Sequence, residues 1–126
     1  LNVLYDYTLS TTEASDLPND YSIGRQLPYV PRYQVKFDPG LVSKHVTLRY
    51  IYSYTGYRFV TTDESQWLMP YRTHNLLLSY AAIIGPRHSL QMSLRINNLF
   101  SENYQSMVGR FMPGRNASVG MVFGLH

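Results

Sequence analysis

The feature that most constrains this chain is a strict alternation of apolar and polar residues, repeated six times over 126 residues. Period two places alternate side chains on opposite faces of a β-strand, so each alternating run specifies a strand with one apolar and one polar face. The runs are Leu1–Ser10, Arg32–Asp38, Val46–Thr55, His74–Ile84, Ser89–Asn97 and Asn116–His126. In the third, Val46, Leu48, Tyr50, Tyr52 and Tyr54 oppose Thr47, Arg49, Ile51, Ser53 and Thr55. In the fifth, Leu90, Met92, Leu94 and Ile96 oppose Gln91, Ser93, Arg95 and Asn97. Within these runs the apolar face carries no charge. The other face holds Asp6, Lys36, Asp38, Arg49 and Arg95. No helical period extends beyond about a turn, so the expected class is all-β and antiparallel, in one domain spanning residues 1–126.

The connections alternate in length. Long loops cover Thr11–Pro31, Gly56–Thr73 and Asn98–Arg115. Short turns are expected at Asp38-Pro39-Gly40, continuing to His45, and at Gly85-Pro86-Arg87-His88. Proline presets φ and glycine accepts positive φ, which makes both sites turn formers. Long loops therefore gather at one end of the sheet and short turns at the other.

Alternation leaves open whether the apolar face meets a core or lipid. Soluble lipocalin-like barrels and sandwiches bury it; outer-membrane barrels turn it outward around a polar lumen. Loop asymmetry favours the membrane case, because outer-membrane barrels pair short periplasmic turns with long extracellular loops. The 12 tyrosines favour it too. Tyr5, Tyr7, Tyr33, Tyr50, Tyr52 and Tyr54 lie on the apolar face near the long-loop end, where an aromatic girdle belongs. Charged residues make up 15%, against about 25% in soluble domains. No run of about 18 apolar residues exists, which removes a transmembrane helix but leaves barrel strands of about 9–11 residues open. Six strands do not close such a barrel. The chain also opens in mid-strand without Met or a signal peptide, so further strands are expected from elsewhere.

Two segments near the C-terminus carry a resemblance. Arg95-Ile96-Asn97-Asn98-Leu99-Phe100, followed by Tyr104, precedes Met112-Pro113-Gly114-Arg115 and the last strand. Together they resemble the C-terminal end of TonB-dependent outer-membrane receptors, with their Asn-Leu-Phe-x-x-x-Tyr segment and a Pro-Gly-Arg before the final strand. Upstream, Gly24-Arg25-Gln26-Leu27-Pro28-Tyr29-Val30-Pro31-Arg32 is similar to the family's segment leading into an earlier strand. The resemblance implies the last six strands of a 22-stranded barrel in the bacterial outer membrane. It also implies import of a scarce cargo, a ferric siderophore or cobalamin, with energy from TonB. The implied partners are outer-membrane lipid, the remaining strands, a plug domain, the TonB complex and a small metal chelate. The plug and its TonB-contacting segment have no counterpart in these residues. The family usually ends on an aromatic residue; here the last residue is His126. Physically, Asn98 can bend the chain out of its strand, Leu99, Phe100 and Tyr104 can pack the loop base, Pro113-Gly114 can turn, and Arg115 can sit at the headgroups.

Other chemistry finds little support. The chain has no cysteine, which removes disulfides and thiolate chemistry. His45, His74, His88 and His126 lack metal-ligand spacing, and no metal or cofactor is expected. Asp63 and Glu64 read as a solvated acidic pair rather than a glycosidase pair. No nucleophile elbow or phosphate-cradling glycine loop occurs, so no enzyme is expected. Asn116-Ala117-Ser118 fits a sequon at a poor site. The mild net charge of +3 gives nucleic acid no support. Loop binding remains, with Tyr57, Arg58, Trp67, Tyr71, Tyr104 and Arg110 as substrate-binding candidates beside Tyr21 and Tyr29. Aromatics offer stacking surface and arginines pair with anions such as ferric chelates. Asp6, Lys36, Arg49 and Arg95 are candidates for the lumen and plug surface. The rivals are another outer-membrane barrel, such as a porin or adhesin, and a soluble β-sandwich or small-ligand barrel.

Overall fold

The computed structural model describes the main chain of residues 2–7, and residues 11–13, 19 and 22–125 in full. Eleven strands follow in order: β1 (Asn2–Tyr7), β2 (Tyr33–Asp38), β3 (Gly40–Val42), β4 (Val46–Thr55), β5 (Arg58–Phe59), β6 (Trp67–Leu68), β7 (Tyr71–Ile83), β8 (His88–Asn97), β9 (Gln105–Met107), β10 (Arg110–Phe111) and β11 (Asn116–Leu125). Among the described residues there is no helix. One antiparallel sheet runs β1-β2-β4-β7-β8-β11, with β3 also on β4. The pairs β5–β6 and β9–β10 form two small hairpins within the long connections.

The expected strands correspond to these elements with two differences. β2 and β3 are one strand in register. Gln34–Phe37 pair with Thr55–Tyr52, and Gly40–Val42 pair with Arg49–Thr47 at the same offset. Pro39 sits inside this strand rather than in a turn. It has no N–H to give the β4 ladder, but its carbonyl accepts from Tyr50 N–H at 3.0 Å, so a single rung is missing. The reversal comes later, where Ser43 N–H donates to Val46 O at 2.7 Å around Lys44-His45. The second difference is at β7, which begins at Tyr71 rather than His74. This adds Arg72 to the apolar face, opposite Tyr54 at the loop end.

Register keeps the two faces separate across the sheet. Leu41, Leu48, Leu78, Leu94 and Val119 form one continuous cross-strand row. Tyr50, Leu76, Ile96 and Ala117 form the row above it. Val46, Tyr80, Met92 and Met121 form the row below. On the other face, Thr47, Ser79, Ser93 and Gly120 make one row, and Gly40, Arg49, Leu77, Arg95 and Ser118 another. A one-residue slip in any ladder would mix the faces.

No hydrophobic residue among the described ones is buried. Even at the centre of the sheet Leu78 is 38% exposed, and on β11 Val119 reaches 74%. Pro31 apart, the buried side chains among the described residues are polar: Gln26, Asp38, Arg58 and Asn98. A single sheet bared on its apolar face has no private core, and it needs a second layer or an apolar medium against that face. Among the described residues both outer edges, β1 and β11, have one neighbour each.

Candidate functional site

The chemistry-bearing residues cluster at the long-loop end, where three polar knots hold the connections. The first is centred on Asn98, at the exit of β8. Its φ of 51° lies in the left-handed region, which asparagine tolerates better than most residues. Asn98 Nδ2 donates to Glu102 O at 2.9 Å and to Pro113 O at 3.2 Å. Its Oδ1 accepts from Glu102 N–H at 2.8 Å, and its own N–H donates to Asn75 Oδ1 at 2.9 Å. One buried amide thus binds the strand end, the following turn and the Pro-Gly-Arg segment together. Leu99 N–H adds a bond to His74 O at 2.8 Å. Phe100 turns to the apolar side and meets the His74 ring edge-on at 4.7 Å. Gly114 packs close to Ser101, whose Oγ accepts from Arg115 N–H at 3.4 Å.

The second knot joins the two small hairpins. Arg58, on β5, is 4% exposed. Its guanidinium donates to the carbonyls of Gln105, Ser106 and Met69 at 3.1, 3.3 and 3.4 Å. It also lies over the Tyr71 ring, 4.9 Å from the centroid. Tyr71 in turn stacks on Tyr104, with centroids 4.1 Å apart. Burial, then the neighbouring Tyr71, pushes the Tyr104 hydroxyl above its usual range.

The third knot docks the Gly24–Arg32 segment onto the β5–β6 hairpin. Tyr29 N–H donates to Phe59 O at 2.7 Å. Gln26 N–H donates to Glu64 Oε1 at 2.7 Å, and Arg32 Nη2 stands 4.0 Å from the same oxygen. Arg25 donates to the Asp63 carbonyl. Of the acidic pair expected to be solvated, Asp63 stays exposed and gives this docking only its backbone carbonyl, while Glu64 is half-buried and binds the Gly24–Arg32 segment. Hydroxyls of Thr61 and Ser65, with the Ser65 N–H, hold the Asp63 carboxyl down at about 2.

Between the two hairpins lies a cavity of about 290 Å³. Trp67, Met69, Tyr104 and Phe111 line it, with Asn103 and Gln105. The structure thus brings together Trp67 and Tyr104 of the expected substrate-binding set. Arg58 and Tyr71 stand behind them as the scaffold. Tyr57 is exposed, and Arg110 is exposed on β10; neither lines the cavity. Tyr21 lies outside the described residues. Met69 and Phe111 were not anticipated. Nothing in their local pattern marks them, and it is the pairing of the hairpins that aims them at one space.

On the polar face, Arg49 donates to both carboxylate oxygens of Asp38, its Nε to Oδ1 at 3.2 Å. Asp38 is 8% exposed. Arg95 shares the row of Arg49, separated by Leu77, and Lys36 is exposed near Ser53. The Asp6 side chain lies outside the described residues, as do those of Tyr5 and Tyr7 and all of His126. Among the described residues, no three His, Asp or Glu side chains gather to hold a metal ion.

No protein-family model matches this chain, and no curated protein matches it.

Proposed function

We propose that this chain is the C-terminal wall of a TonB-dependent outer-membrane receptor, a transmembrane barrel that takes up a scarce solute with energy from TonB. The observation that carries this reading is the sheet's apolar face, charged only at Arg72 on the loop end and held in register over six strands, with no hydrophobic residue buried among those described. Lipid would cover that face, and further strands would satisfy the two open edges, whose bare backbone groups are costly in hydrocarbon.

Three further features support it. β7 has 13 residues; at about 3.3 Å each and about 45° of tilt it rises roughly 30 Å, the thickness of a bilayer core. Aromatic rings flank the aliphatic rows at both ends. Tyr50, Tyr52 and Phe100 each meet the His74 ring at the loop end. His45–Tyr80 and His88–Phe123 do so at the turn end. Rings at both interfaces are a habit of membrane barrels. Finally, the Asn98 to Arg115 segment, which carries the family resemblance, is tied together by four hydrogen bonds of Asn98.

In this reading the polar face lines the lumen, where Lys36, Arg49 and Arg95 meet the plug or a permeating anion. The loops capture the solute, with ferric siderophores or cobalamin as the classes the resemblance implies. The chain acts as a transporter segment rather than an enzyme. Fractionation of native membranes tests the proposal. Recovery only in detergent, in an unboiled species several times heavier than 14.6 kDa, is the expected result. A folded, water-soluble 14.6 kDa species would overturn it.

A further inference from the structure

The cavity between the two hairpins has a chemistry of its own. Its lining contains no charged residue. Trp67 and Phe111, 58% and 73% exposed, leave much of their surface to a solute. Asn103 and Gln105 supply amides beside them. Gln105 Oε1 is taken by Gly109 N–H at 3.0 Å, which leaves its NH2 group to donate. Of the two arginines expected to bind anions, Arg58 is buried with its guanidinium donating to three carbonyls, and exposed Arg110 precedes Phe111 without lining the cavity.

We infer that this cavity binds a neutral oligosaccharide. Open aromatic faces stack on the C–H faces of a pyranose ring, and flanking amides exchange hydrogen bonds with its hydroxyls. An anionic ferric chelate would find no cation here, and a cavity of about 290 Å³, at the small end of ligand pockets, suits one or two sugar rings better than a corrin. The inference rests on the transporter reading for its physiological sense, and it narrows the cargo implied by the resemblance.

Trp67 lines the cavity, so the part of the protein's emission that is lost in Trp67→Phe reports on it. The intact protein in detergent micelles is titrated with maltotriose, cellotriose and chitotriose, and with ferrichrome, ferric citrate and cyanocobalamin, reading tryptophan emission and binding heat. At least one trisaccharide is expected to bind and shift the emission, with a Kd unchanged by added salt. Phe111→Ala, at an exposed position, should raise that Kd about tenfold through the lost stacking contact. Three results would overturn the inference: no trisaccharide binds; only the ferric chelates or cyanocobalamin bind; or saccharide binding is untouched by Phe111→Ala. The titration reads the cavity wherever the chain fractionates, so its failure is distinct from failure of the membrane reading.

Discussion

Asn98 shows how much one side chain can hold. It combines a left-handed φ of 51° with amide bonds to Glu102 and Pro113. Alanine would strand these buried partners and disfavour the conformation at once. Asn98→Ala is expected to cost about 2–4 kcal/mol, read as a lower temperature for loss of the compact band on unboiled gels. Asp63 gives a pH prediction. Its folded pKa of about 2 lies below its unfolded value near 4. Its stabilising contribution is therefore complete above about pH 4 and is lost as pH falls toward 2. The expected outcome is faster proteolysis of the Thr61–Gln66 loop by an acid protease toward pH 2, and loss of that pH dependence in Asp63→Asn.

At the scale of elements, the two faces of β7 should answer oppositely to charge. Leu78→Arg puts a cation in the middle of the apolar face, where a lipid-facing site at mid-depth loses about 2–4 kcal/mol. Ser79→Arg, one residue on, projects into the polar face and should be tolerated. Comparing assembled barrel yield for the two variants checks this. The same alternation is why the strands were legible in the sequence. Period two is a local property, and β4, β8 and β11 fall where it places them. Pro39 was misread because proline is a turn former by local rules, whereas here the ladder simply forgoes one donor. That misplaced turn also hid the Arg49–Asp38 pair. With Pro39 in the strand and the reversal at Lys44-His45, the two residues become diagonal neighbours on the polar face. Asn98 was legible as a bend because its chemistry is local. The Arg58 knot and the Glu64 contacts were not, since they join segments up to 48 residues apart.

At the scale of the molecule, the sheet is ordered by what surrounds it as much as by its own contacts. Its polar groups find partners within the chain at the loop end, while its apolar side chains find few. In the proposed barrel, aliphatic rows between two aromatic belts, with polar knots above, make a wall whose stability depends on the medium against it. The account's central claim is that this medium is lipid. The most direct test uses the absence of cysteine from these 126 residues, any cysteine elsewhere in the barrel being replaced by serine. Single cysteines are placed in turn at residues 76 to 81 of β7, labelled with an environment-sensitive fluorophore, and examined in native-like bilayers containing brominated lipid. The account predicts quenching at 76, 78 and 80 and none at 77, 79 and 81. Uniform quenching, or protection of the even positions without contact to brominated lipid, would contradict it and assign the apolar face to a protein core.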